Sequence, residues 1–286
     1  MNRFAKTFSA TWSNLSLYKI CQKPFIRNYL LNLRNLWEKN MIPKIIHYCW
    51  FGGKPLPKLA RRCKASWENF FSDYEIKEWN ENNFDVQAIP YTKYCYEHQL
   101  WAYLSDFVRL FVVEHEGGLY FDTDVEVVRY PEELLNSYHA YYGWETPEYI
   151  NTGLGFAAEA HHPSVQAMLA MYDGLVIEGK YMFDKMQGCP QLNTKALLPF
   201  GLQQDGTEQI VCDAHILPID YLCPFQDATG ELNKTNHTIS IHWFSKSPHG
   251  KMAAWKMKFS RPLHRIFNCL KGLKNESTAY KAQGAL

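Results

Sequence analysis

The chain lacks cysteine patterning, long apolar runs and a decisive net charge, and each lack excludes a class of protein. Its eight cysteines are scattered with no CxxC pair and no repeated spacing. Neither a zinc site nor a disulfide framework is expected, and a reducing compartment fits. No apolar run approaches the ~18–20 residues that a membrane span needs. Lys19, Lys23 and Arg27 interrupt any apolar stretch near the N-terminus, so a secretory signal is not expected. Internal repeats and low-complexity tracts are missing too. Together these absences point to a cytoplasmic globular protein.

What is present is apolar and aromatic. Residues of the apolar classes make up 47 % of the 286, and aromatics 15 %. That supports one sizeable α/β domain with appendages, or two small domains. The net charge of +1 hides an asymmetry. Residues 1–40 hold seven Lys/Arg against Glu38, and residues 251–286 hold eight against Glu276. Between them stand 15 bases and 27 acids. We divide the chain into a basic amphipathic helical extension (1–40), a central domain (41–250) and a basic helical tail (251–286). The end segments carry helical stripes, Ile26, Tyr29, Leu30, Leu33 and Trp37 in one, Leu263, Ile266, Phe267 and Leu270 in the other.

In the central domain, IPKIIHYCWFGG reads as a strand closed by a Gly-Gly turn, ARRCKASWENF as a helix and DYEIKEWN as a second strand. Leu100, Tyr103, Leu104, Phe107, Val108 and Phe111 mark a helix that stops at Gly117 and Gly118. LYFD follows as a buried strand and VEVVRYP as another. Strand–helix–strand alternation predicts an α/β sheet with a site at the carboxyl ends of strands. Further on, HAYYGWE, YINTGLGFAAEA, HILPIDYLCPF and HTISIHWF read as strands, and SVQAMLAMYDGLV as a helix.

Four groups of residues carry chemistry. Asp122 and Asp124 are one residue apart, and strand alternation places both on one face. Like charges there repel unless a cation intervenes. A hard divalent ion prefers such oxygens together with phosphate, so the pair reads as a metal–diphosphate clamp; the competing reading is two solvated acids. Asp106 and Arg109 are i,i+3 neighbours beside the apolar stripe. They form either a surface ion pair or a grip on hydroxyls and phosphate oxygens. Trp50, at the end of the first strand, is placed either to stack on a base or to fill core. His242, followed by Ser245 and Lys246, is either a ligand or a satisfied core histidine.

In this order, IPKIIHYCWFGG, SWENFFSDYEIKEWNENNFD and YLSDFVRLFVVEHEGGLYFDTDVEVV resemble the glycosyltransferases with a DXD-containing sugar-binding region. That family includes capsular-polysaccharide sugar transferases, and more distantly it is similar to clostridial glucosylating toxins. The resemblance is tight over about residues 41–130 and loose to about 250. It implies a GT-A fold, a mixed α/β sheet flanked by helices, here with helical extensions at both ends. It also implies a retaining transfer from a UDP- or GDP-sugar to a glycan or lipid-linked oligosaccharide acceptor, with Mn²⁺ or Mg²⁺. Trp50 would stack on the nucleobase, and Asp106 and Arg109 would hold the donor sugar. Asp122 would reach ribose and metal-bound water, Asp124 would ligate the metal and His242 would complete its site. Ser245 and Lys246 would meet the diphosphate, and Asn151 and Thr152 would face the reacting sugar. The family often has a tryptophan after the late serine, where this chain reads SKSPHG.

No carboxylate nucleophile stands out, so a same-face substitution is expected. The basic ends favour peripheral contact with an anionic membrane on its inner face, and nucleic-acid motifs are missing. Two other classes compete. A DxD phosphatase or phosphotransferase usually has Thr or Val two residues after the second Asp, where this chain has Glu126. A non-catalytic nucleotide-sugar-binding protein need not keep the full metal and diphosphate set.

Overall fold

The first strand of the central sheet, β1 (Ile45–Cys49), is apolar along nearly its whole length, as a strand covered on both faces must be. It belongs to a computed structural model that describes residues 42–183 and 186–245. The helical readings of 1–40 and 251–286, and Lys246, lie outside the described residues.

After β1 come helix α1 (Lys58–Phe70), β2 (Glu75–Trp79), α2 (Pro90–Glu97), α3 (Trp101–Glu116), β3 (Gly118–Tyr120), β4 (Val125–Val127) and α4 (Glu132–Ser137). Then follow β5 (Ala140–Thr146), β6 (Tyr149–Asn151), β7 (Phe156–Ala158), α5 (Pro163–Ala170) and a hairpin of β8 (Val176–Ile177) and β9 (Lys180–Tyr181). The last elements are α6 (Cys189–Leu197), β10 (Gln209–Val211), β11 (Ala214–Leu217), α7 (Ile219–Leu222), β12 (Phe225–Gln226), β13 (Glu231–Leu232) and β14 (Ser240–His242).

The main sheet runs β10-β11-β5-β7-β3-β1-β2, with β6 beside β5. β2, β1 and β3 are parallel; β7 is antiparallel to both β3 and β5, and β11 runs parallel to β5. This is the expected mixed α/β sheet with helices on both faces. Leu119 and Tyr120 point to opposite faces, as strand alternation requires, and join different cores. Tyr120 packs with residues of α2, α3, α5 and α6. Leu119 packs with Cys63 and Trp67 of α1, Leu134 and Leu135 of α4, and Leu222 of α7. Trp67 is fully buried, and its Nε1 donates to the Val125 carbonyl at 2.8 Å. Truncating it to alanine is expected to cost ~3–5 kcal/mol.

The turn from α3 into β3 needs glycine. Gly118 has φ +104°, and a Cβ there would lie 2.6 Å from the Ile45 carbonyl oxygen, so only glycine lets β3 run this close to β1. His47 braces the same turn, with Nε2 2.8 Å from the Gly117 carbonyl and Nδ1 accepting from Trp79 Nε1 at 3.0 Å. Burial holds its pKa below the ordinary histidine value.

Two expected elements are shorter than their apolar runs. In HILPIDYLCPF the strand ends at Leu217, and after Pro218 the chain turns into α7, because proline supplies no N–H to continue a ladder. The helix in SVQAMLAMYDGLV ends at Ala170, well before Gly174 with its φ of +72°.

Candidate active site

Seven segments converge at the carboxyl end of β1 and β3. Trp50 and Phe51 follow β1, Asp122 and Asp124 follow β3, and α3 presents Trp101, Asp106 and Arg109. From the other half of the sheet come Glu145 at the end of β5 and Asn151 at the end of β6. Gly188 and Cys189 open α6, and His242 ends β14. Together with Phe244 and Ser245 these residues line a cleft of about 600 Å³, in the size range of small-molecule sites.

Asp122 and Asp124 are not in a strand as expected. β3 ends at Tyr120, and the Val125 N–H bonds back to the Asp122 carbonyl at 2.9 Å, closing a turn. The turn, rather than strand alternation, brings the two carboxylates together. β4 then pairs antiparallel with β14 in a short ribbon that sets His242 opposite Val125. His242 Nε2 thereby lies 3.2 Å from Asp124 Oδ1, and the Ser245 N–H donates to Asp124 Oδ2 at 2.6 Å. Asp122, Asp124 and His242 each offer a ligand atom, all within 4.8 Å of one another.

Asp106 and Arg109 are not a surface pair. They are 8 % and 3 % exposed, and the guanidinium lies 3.1 Å from Asp106 and 2.8 Å from Asp122. Its Nη2 bonds both oxygens of Asp122, at 2.8 and 3.0 Å, while Tyr120 Oη donates to the same carboxylate at 3.0 Å. Asp106 also accepts from the Cys189 N–H at 3.2 Å. One arginine thus ties the α3 carboxylate to the DXD turn.

The electrostatics follow from burial and neighbours. Burial pushes the Asp122 carboxyl up to about 6; Arg109 opposes that shift and Asp124 adds to it. Burial also pushes Asp124 up, but His242 and the Ser245 N–H outweigh it, and its carboxyl lies below the usual range. His242 is raised, since the two aspartates outweigh the burial that disfavours its cation. Arg109 is held charged by Asp122 and Asp106 against its own burial. Two carboxylates and an imidazole are a donor set suited to a hard or borderline divalent ion. His242 Nδ1 is buried with no hydrogen-bond partner among the described residues, so the ring has donor capacity the protein does not use. The residues fit a divalent metal ion.

Of the residues singled out in the sequence, Trp50, Asp106, Arg109, Asp122, Asp124, Asn151, His242 and Ser245 meet in this cleft. Trp50 lines it, as do Phe51, Pro55, Pro57 and Trp101. Thr152 does not line it. It is fully buried in a 3₁₀ turn after Asn151 and accepts a hydrogen bond from Asn193 at 2.9 Å. Sequence reasoning missed Trp101, Glu145, Cys189 and Phe244. A Gly-Cys-Pro start with proline in the first turn is a helix signal that marks α6, but nothing in its spacing points to the cleft.

Residues 57–141 match the model of a family described as a glycosyltransferase sugar-binding region containing a DXD motif. Inositol phosphoceramide mannosyltransferase 3 of Schizosaccharomyces pombe is 31 % identical over 121 residues, 41 % of this chain and 33 % of its own. The chain spans about a third of the length of that curated relative. Among solved structures, PaToxG glycosyltransferase resembles it with a TM-score of 0.44 and 17 % identity, over 61 % of this chain and 80 % of its own. A glycosyltransferase involved in glycosylation of the major capsid of PBCV-1 resembles it with a TM-score of 0.41 and 14 % identity, over 72 % and 95 %. Residues 57–141, which match that family's model, contain Asp122–Thr123–Asp124, a DXD sequence, in agreement with the resemblance read from the sequence motifs.

Proposed function

We propose that this chain is a metal-dependent, retaining glycosyltransferase that moves a sugar from a UDP- or GDP-sugar to a glycan acceptor. The observation that carries the reading is the cleft itself. The rings of Trp50 and Trp101, the Asp122, Asp124 and His242 group, and Asp106, Arg109 and Asn151 all line this one cleft. These are the kinds of group that a base, a diphosphate and a sugar require.

Asp122, Asp124 and His242 would hold the divalent ion, which when bound offsets the charge that grows on the departing diphosphate. Arg109 supplies a second positive charge, fixed before the reaction by Asp106 and Asp122, so little reorganisation is needed as that charge develops. The acceptor hydroxyl attacks the anomeric carbon as its bond to the diphosphate oxygen breaks. The departing phosphate takes the hydroxyl proton, and the new bond forms on the face the leaving group vacates.

The phosphatase reading needs a free aspartate nucleophile. Asp122 instead accepts from both Arg109 and Tyr120, which favours the transferase. A lipid-borne acceptor, such as a lipid-linked polysaccharide or capsule precursor, agrees with the name of the curated relative, a mannosyltransferase of inositol phosphoceramide. Among the described residues no helix is long and apolar enough to cross a membrane. The basic ends would then bring a cytoplasmic enzyme to the inner face of the membrane. The test is release of nucleoside diphosphate from a panel of UDP- and GDP-sugars with Mn²⁺, Mg²⁺ or EDTA. Metal-dependent release from one donor is expected. Release from none, with no nucleotide binding, would refute the reading.

A further inference from the structure

We infer that Glu145 is a sugar-binding residue of this cleft, accepting a hydrogen bond from a hydroxyl of the transferred sugar; the inference rests on the nucleotide-sugar reading above. Four carboxylates line the cleft, those of Asp106, Asp122, Asp124 and Glu145. The three aspartates each have a charged partner and at least one further donor. Asp106 has Arg109 and the Cys189 N–H, Asp122 has Arg109 and Tyr120, and Asp124 has His242 and the Ser245 N–H. Glu145 has only a neutral amide: its Oε2 accepts from Asn151 Nδ2. Its Oε1 has no hydrogen-bond or ion-pair partner among the described residues.

The geometry also fixes what Glu145 offers. Asn151 Oδ1 is already occupied, accepting from the Gly153 N–H at 2.6 Å and from Cys189 Sγ at 3.0 Å. Its NH₂ must therefore face Glu145, and the amide cannot turn over without losing both bonds. Glu145 is held as an acceptor by a donor that is itself held. Asn151, which holds it, also bonds Cys189, and Cys189 in turn meets Arg109 through Sγ and Asp106 through its N–H. Glu145 thus lines the cleft beside the Asp106–Arg109 pair, where the sugar of a bound nucleotide sugar would lie. A carboxylate with a free oxygen and no cation suits a neutral donor such as a sugar hydroxyl, whereas a diphosphate would be repelled. A site built to bond a hydroxyl discriminates strongly against a ligand that lacks it.

The experiment is calorimetric titration of the full chain with Mn²⁺ present, comparing free UDP and GDP with their hexose derivatives. It uses the native protein, Glu145→Ala and the isosteric Glu145→Gln. For Glu145→Ala we expect binding of the nucleotide sugar to weaken about 10- to 100-fold, as for loss of a hydrogen bond to a charged group, while the free diphosphate binds unchanged. Glu145→Gln, which keeps an acceptor oxygen, should lose less. With a deoxy-sugar donor lacking the bonded hydroxyl, the gap between native protein and variant should close. Equal weakening for diphosphate and nucleotide sugar would overturn the inference by showing a general disturbance of the cleft. Unchanged nucleotide-sugar binding with loss of turnover in both variants would overturn it in favour of a chemical role. A native protein that binds neither diphosphate nor nucleotide sugar would refute the transferase reading itself, and the role of Glu145 with it.

Discussion

The short ribbon of β4 and β14 has a cavity at each end, and each holds a histidine beside a carboxylate. At the Val125 end, His242 lies 3.2 Å from Asp124, both nearly buried, with Asp122 close by. Beyond Val127, a second cavity of about 350 Å³ is lined by Arg129, Tyr138, Glu208, His215 and His237. There His215 lies 2.5 Å from Glu208, whose side chain is 54 % exposed, and its ring packs on Tyr138 at 4.1 Å. Among the described residues only the first end forms a group able to hold a metal ion. A histidine and a carboxylate in contact do not make a site. What distinguishes the first end is a second carboxylate within ligand distance of the same histidine, and a buried arginine that holds that carboxylate.

That contrast can be broken deliberately. Asp124→Ala should reduce metal-dependent diphosphate release at least about a hundredfold, the scale of losing a fixed electrostatic contact in a site, with the fold retained by circular dichroism. Gly153→Ala should come next. A Cβ there would lie 2.5 Å from Asp122 Oδ2 and 3.0 Å from Arg109 Nη1, so the carboxylate must shift and its pairing with the guanidinium is disturbed. We expect a cost of ~1–3 kcal/mol in denaturant unfolding together with loss of activity.

A subtler effect concerns pH. Asp122 is pushed above its ordinary value of 3.8, to about 6, chiefly by burial. A carboxyl raised on folding stabilises the protein fully below the unfolded value, and that contribution fades as pH rises through the folded one. Without metal, the melting temperature of native protein relative to Asp122→Asn should therefore fall as pH rises through about 6. Mn²⁺ affinity should grow over the same range, because the ligand must be ionised. The smallest effect belongs to the other end of the ribbon. Glu208→Ala should leave turnover unchanged and cost about 1 kcal/mol of stability, because the buried His215 ring loses the partner of its Nε2.

The two ends also show what a sequence discloses. Asp106, Arg109, Asp122 and Asp124 fall within 19 residues, on a helix and the turn after the next strand, so their spacing alone announces them. His242 was legible as a histidine near a strand end, but its partner was not, because the ribbon pairing spans more than a hundred residues of chain. Glu145 and Cys189 were invisible for the same reason. Each sits at the end of an ordinary element, and only the sheet order β11-β5-β7-β3 and the packing of α6 bring them to the cleft. The one-face placement of Asp122 and Asp124 was anticipated for the wrong cause: the turn after Tyr120, not strand alternation, gathers them.

The central claim is that Asp122, Asp124 and His242 hold a divalent ion that receives a nucleoside diphosphate. Its most direct test is titration of the full chain with Mn²⁺, following the paramagnetic signal of the free ion, alone and with UDP or GDP. Mn²⁺ is expected to bind, to bind more tightly once the diphosphate is present, and to lose both properties in Asp124→Ala. Binding that is indifferent to the diphosphate, or unchanged in Asp124→Ala, would contradict that claim.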